Sequence, residues 1–213
     1  MKFFWAPNTV ALASHIALEE AGATYEAVRL NFAGMEQRKP DYLAVNPKGR
    51  VPALETERGI LTETPAILAF IAQDNPKMKL APVGDAFAFA QMQAFNSYLC
   101  STVHVNHAHK LRGARWSDDV AAHESMRQKV TRNMTDCAAL IETSMLQGPW
   151  VMGANYSVAD PYLYTVGQWL EGDGVDTSQF TKLLDHRKRM RDRPAEISSS
   201  TPARCCAGST HSE

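Results

Sequence analysis

The chain has 213 residues, 45% of them hydrophobic and 21% charged, with a formal net charge of −1 at pH 7. That supports one large domain or two modest ones, and a balance of 22 basic against 23 acidic residues leaves no electrostatic footprint for nucleic acid or an anionic membrane. No segment approaches the roughly 20 consecutive apolar residues of a membrane span.

Lys2 to Ala6 is a short apolar run, expected as a strand. Pro7-Asn8-Thr9 breaks it too early for the apolar core of a secretory leader, which needs about 7–15 residues. A helix follows, with Asn8 or Thr9 as candidate N-cap, and Gly22 stops it after Ala21. Tyr25 to Leu30 alternates as a second strand, and Glu36 to Val45 reads as a second helix. Asn46-Pro47-Lys48-Gly49-Arg50-Val51-Pro52 is turn chemistry leading into a strand at Ala53 to Thr56. Arg58-Gly59 is expected to turn that strand back into Ile60 to Thr62. Thr64 is placed to cap a third helix with Pro65 at its first position. The predicted order is βαβ, then α, then ββα.

Beyond Asn75-Pro76 the pattern is helical only. Ala88, Met92, Phe95, Leu99 and Val103 form one apolar stripe, and Val130, Met134, Cys137, Ile141 and Met145 form another, ended by Gly148-Pro149. Ser157-Val158-Ala159-Asp160 is a capping-box variant with Asp in place of Glu or Gln, opening a helix with Tyr162, Val166, Trp169 and Leu170 on one face. A last helix is expected over roughly Gln179 to Asp192, and a polar tail begins at Ile197. The cysteines Cys100, Cys137, Cys205 and Cys206 lack metal-ligand spacing and read as reduced thiols, hence a cytoplasmic protein.

The order of elements resembles the glutathione transferase superfamily over roughly residues 1–195. The segments that carry it are Asn46 through Pro52, Glu63-Thr64 and Ser157-Val158-Ala159-Asp160. Ala17-Leu18-Glu19-Glu20-Ala21-Gly22 and Asn46-Pro47-Lys48-Gly49 are most similar to the bacterial beta class. The resemblance implies an α/β thioredoxin-like N-terminal domain at residues 1–76, a linker at 77–84, an all-helical domain at 85–196 and a polar tail at 197–213. It also implies a homodimer that binds glutathione as co-substrate and conjugates it to a small hydrophobic electrophile, with no metal, nucleic-acid or membrane partner. Two other readings are a glutathione-dependent disulfide or peroxide reductase and a non-catalytic binding module.

The residues support that chemistry on their own terms. Val51-Pro52 is the kind of bond that is cis in such folds, which leaves the Val51 N–H and C=O to pair with an extended peptide. Thr64 and the free N–H groups of its helix suit a carboxylate, and Glu63 suits an ammonium group. Lys48 and Arg50 lie in the same binding loop. Alternatively, Thr64 is only a cap and Pro52 only a turn.

The catalytic position departs from the beta class, whose cysteine aligns with Val10, so a mixed disulfide through that position is excluded. Thr9 takes its place as a hydroxyl donor to a thiolate, or acts as a simple cap, with Asn8 as the other candidate. His104 aligns with a histidine lining the beta-class site, although Val105 and Ser97 replace that class's lysine and asparagine. His104 and His107 share a helix face without carboxylates or thiolates beside them, so no metal is expected. His15 reads as structural. Cys100, on the first long helix, is within reach of the cleft, but its stripe neighbour Leu99 suggests that it faces partly away, and Cys137 is expected to be inert.

Overall fold

The computed structural model describes residues 1–195. The polar tail from Ile197, with Cys205-Cys206, lies outside the described residues. Strand β1 (Lys2–Trp5), helix α1 (Ala11–Glu20), strand β2 (Glu26–Arg29), helix α2 (Pro40–Val45), strands β3 (Ala53–Thr56) and β4 (Gly59–Thr62) and helix α3 (Thr64–Asp74) follow in the predicted order. The four strands form one sheet ordered β2-β1-β3-β4. β1 runs parallel to β2 and antiparallel to β3, and β3 pairs antiparallel with β4. Phe3 stands opposite Ala27 on one side and Leu54 on the other, and both Phe3 and Leu54 are fully buried.

Local chemistry moved several boundaries. The helix expected from Glu36 to Val45 is split into a 3-10 turn, Glu36–Arg38, and α2, with Lys39 extended at ψ 152° between them. Pro40 is the cause, because its ring disfavours helical geometry in the residue before it. The hairpin turns on Glu57-Arg58, with Gly59 already in β4 opposite Thr56. α1 begins at Ala11 with no side-chain cap on its assigned Val10 N-cap. Thr9 performs part of that role, its hydroxyl oxygen accepting the Ala11 N–H at 3.3 Å, while Asn8 sits in the left-handed region at φ 57°. Thr64 is itself the first residue of α3 and Glu63 the N-cap, one residue earlier than read from the sequence.

The second half is helical: α4 (Ala86–Tyr98), α5 (His104–Ala108), α6 (Val120–Leu140), α7 (Ala159–Gly167) and α8 (Thr181–Arg191). Asp85 caps α4 by accepting the Phe87 and Ala88 N–H groups. A π-helical turn, Leu99–Val103, joins α4 to α5, and a second, Ile141–Met145, ends α6. The single helix read from Gln179 is instead a 3-10 turn, Thr177–Gln179, and α8, with Phe180 at ψ 73° between them. Among the described residues no helix is long and apolar enough to cross a membrane.

α1 packs between α3 and α7, which explains why Ser14, His15, Ile16, Ala17 and Leu18 are buried in succession. The expected capping box is formed and extended. Asp160 accepts the Ser157 N–H at 2.7 Å, and the Ser157 hydroxyl oxygen accepts the Ala159 N–H at 3.3 Å. Asp160 also accepts the Val151 N–H at 2.8 Å and lies 3.0 Å from His186 Nε2. Arg193 pairs with Glu20 and lies over the Tyr156 ring at 3.8 Å, tying the end of α1 to the last described turn.

Candidate active site

A cleft of about 440 Å³ opens between the sheet half and the helical half. Asn8, Thr9, Arg50, Val51, Pro52, Glu63, Thr64 and His104 all line it, so the structure brings together every predicted site residue except Lys48. Lys48 stands behind, its ammonium bonded to Glu63 and to the Thr62 hydroxyl. Gly49 makes this loop possible: φ is +60°, and a Cβ there would lie 2.8 Å from the Gln37 carbonyl oxygen. The Val51-Pro52 peptide is cis. Tyr42 and Asn46 donate to the Arg50 carbonyl and hold the loop from behind, whereas no described residue uses the Val51 N–H or C=O.

Thr64 is 5% exposed, and its hydroxyl makes no hydrogen bond to any described residue. Glu63 is held at φ 74°, an unusual conformation for a residue with a side chain. The Thr9 hydroxyl donates to the Ala6 carbonyl at 2.7 Å, so its proton is engaged within the protein in this state.

Sequence reasoning missed part of the helical wall. Cys100, expected to turn partly away, lines the cleft. Its neighbours Leu99 and Val103 keep the burial that the stripe predicted, and Cys100 sits at the edge of that stripe, half-buried against the cleft. Burial pushes the Cys100 thiol pKa up; neighbouring Glu63 adds to this, and Tyr162 and Arg50 oppose it. Tyr162, read only as a packing residue, also borders the cleft. His107 Nδ1 lies 2.7 Å from the carboxylate of Asp173, whose side chain is fully buried. The His107 ring stacks on Trp169 at 4.3 Å. Lys110, Arg112 and Arg115 complete the wall. Three cations within six residues were the available signal. Among the described residues no three His, Cys, Asp or Glu side chains converge as metal ligands.

Burial, aided by repulsion from His107, Arg112, Arg115 and Arg50, lowers the His104 pKa to about 4. His104 is therefore neutral at physiological pH and brings no fixed charge to the cleft. The unfolded imidazole titrates near 6.5, so its stabilising effect is complete above that pH and is lost as pH falls toward about 4. The denaturation midpoint should drop between about pH 7 and about pH 4.5, and drop less in His104→Gln. Burial lowers the His15 pKa as well, so the difference between the two proteins is the diagnostic quantity. Equal pH dependence in both would contradict the assignment.

The family model for the glutathione S-transferase N-terminal domain matches residues 1–73. A solved structure of a glutathione transferase homologue from Sulfitobacter, with bound glutathione, is 47% identical with a TM-score of 0.89, covering 92% of this chain and 94% of that one. A sphingomonad glutathione S-transferase complexed with glutathione is 32% identical with a TM-score of 0.82, over 93% and 96% of the two chains. A glutathione S-transferase of Xanthomonas campestris is 30% identical over 195 residues, 89% of this chain and 92% of its own length. The mixed sheet, the cis-proline loop and the subsequent helices define a thioredoxin-like fold joined to a helical bundle. The chain belongs to the glutathione S-transferase family.

Proposed function

We propose that the cleft binds glutathione, holds it as the thiolate and transfers its sulfur to an electrophilic carbon. The observation that carries this reading is the set of unengaged groups around one end of the cleft: the Val51 N–H and C=O, and the buried Thr64 hydroxyl at the start of α3. In this reading residues 1–76 form the glutathione-binding domain and residues 85–196 supply the wall for the electrophile. The peptide pairs with Val51, the γ-glutamyl carboxylate meets Thr64 and the N–H groups of α3, and Glu63 takes the ammonium. Arg50 faces the peptide's outer end, and Lys48 orients Glu63. Thr9 and Asn8 are the candidate donors to sulfur, and Thr9 would exchange its bond to Ala6 for one to the thiolate. His104, neutral, is a candidate donor from the helical wall. The thiol proton leaves to solvent, the C–S bond forms and the leaving group departs with its electron pair; positioning and thiolate stabilisation supply the rate.

Ultraviolet titration in the presence of glutathione tests this directly. Thiolate absorption should develop well below the pH of about 8.5 at which a free thiol ionises, together with conjugation of chlorodinitrobenzene. Absence of both binding and conjugation would refute it. A glutathione-dependent disulfide reductase is the second reading, favoured by the Cys100 thiol in the cleft. Loss of disulfide reduction, but not of conjugation, in Cys100→Ser would mark that activity.

We further propose a cytoplasmic homodimer. Phe87, in the first turn of α4, is 74% exposed and offers an apolar anchor for a second copy. Sedimentation at micromolar concentration should give the mass of two chains, and Phe87→Glu that of one. A wild-type species of 23.5 kDa alone would rule this out.

A further inference from the structure

The charge in the cleft exceeds what glutathione needs. Arg38, Arg50, Arg112 and Arg115 line it, and none of the four forms an ion pair with a described residue. Several arginines elsewhere are matched, among them Arg187 with Glu171, Arg189 with Asp185 and Arg193 with Glu20. Among the described residues Glu63 is the one carboxylate lining the cleft, and it is shared with Lys48. Lys110 turns away to the Gly172 carbonyl and to Asp173. Arg115 also feels the others: desolvation, then repulsion from Arg112, Arg50 and Arg38, lowers its pKa to about 10. Such a group of like charges raises the potential of the site and favours an anion between them.

Glutathione brings two carboxylates and one ammonium. One carboxylate is assigned to Thr64 and the ammonium to Glu63, which leaves the glycyl carboxylate for Arg38 and Arg50 on the sheet side. Arg112 and Arg115 stand beyond it, on the segment after α5, with Leu111, Trp116 and Trp169 among the apolar side chains beside them.

Building on the conjugation reading above, we propose that the second substrate is a carboxylate-bearing electrophile. Its carboxylate is held by Arg112 and Arg115, and its apolar body packs on Leu111, Trp116 and Trp169. Planar guanidiniums suit this role, since each offers paired N–H donors to a carboxylate. The reaction is unchanged in its balance: glutathione sulfur bonds to the electrophilic carbon, the leaving group takes its electron pair and the thiol proton passes to solvent.

Calorimetric titration with nitrobenzoate, an unreactive anion of this class, separates the inference from the conjugation reading because it needs neither glutathione nor turnover. Arg112→Gln/Arg115→Gln should weaken nitrobenzoate binding about tenfold, a modest factor because both side chains reach solvent. The wild-type affinity should also fall as salt is raised. In turnover, the ratio of kcat/KM for chloronitrobenzoate to that for chlorodinitrobenzene should fall by a similar factor in the double variant. Both substitutions lie at exposed positions, and an unchanged denaturation midpoint would certify the fold. Equal nitrobenzoate affinity in the two proteins, or none in the wild type, overturns the inference. A parallel titration in which glutathione fails to bind overturns the conjugation reading and leaves the arginine result to be judged on nitrobenzoate alone.

Discussion

Replacing Asp160 by alanine is expected to destabilise the protein by about 3–5 kcal/mol. The side chain is fully buried and accepts the Val151 and Ser157 N–H groups, with His186 Nε2 and the Ser157 hydroxyl also within bonding distance. Its removal strands buried donors that no water reaches, and each stranded group costs about 1–3 kcal/mol. The two backbone donors come from the segment before α7 and His186 comes from α8, so two separate pieces of the helical half lose their common partner on α7. Asp160→Asn should be milder, at about 1.5–3 kcal/mol, because the amide keeps the shape but turns a donor toward at least one N–H. Guanidinium unfolding monitored by circular dichroism measures both. A loss under about 1 kcal/mol in Asp160→Ala would mean that the network is reorganised without cost.

Thr64→Ala is expected to weaken glutathione binding by about 10- to 150-fold while costing no more than the roughly 0.5–1.5 kcal/mol of stability that loss of its buried methyl accounts for. The sequence allowed two roles for this residue, helix cap or ligand group, and the structure separates what each predicts. Thr64 lies inside α3, and neither it nor the N-cap Glu63 makes a side-chain capping bond. The helix therefore loses nothing structural when the hydroxyl is removed, whereas a bound carboxylate loses a charge-assisted hydrogen bond of about 1.5–3 kcal/mol. Thr64→Ser should restore most of the affinity. Glu63→Ala should have a smaller effect than Thr64→Ala, because Glu63 is half exposed and Lys48 already shares its charge. Calorimetric titration with glutathione decides the matter: unchanged affinity in Thr64→Ala places the γ-glutamyl carboxylate elsewhere, and a stability loss beyond the methyl contribution, shared by Thr64→Val but avoided by Thr64→Ser, restores the role of cap.

Much of the fold was determined by the sequence alone, because the rules that set it are local. Alternation in Tyr25 to Leu30, the helix-stopping Gly22 and the Asn46 to Pro52 turn act within a few residues, and each produced its element close to where it was read. The capping box at Ser157 to Asp160 is of the same kind, since both of its bonds close within three residues. Where a boundary moved, the cause was also local, as with Pro40, whose effect on Lys39 is written in the sequence. That Val51, Pro52, Glu63 and Thr64 line one side of the cleft was likewise readable, because they lie within fourteen residues and their neighbours in sequence fix their geometry.

The opposite wall was decided only by the tertiary structure. Hydrophobic periodicity reports which side of a helix meets a core, and Leu99 and Val103 are buried as read, but it does not say which neighbouring side chain, such as Cys100, borders the cleft. The His107–Asp173 contact joins groups 66 residues apart, and Arg38, Arg50, Arg112 and Arg115 reach one cleft from both halves of the chain. Charges far apart in sequence carry no mark of their future neighbours. Their convergence, and the potential it creates, exists only once α1 is buried between α3 and α7 and the two halves face each other across the cleft.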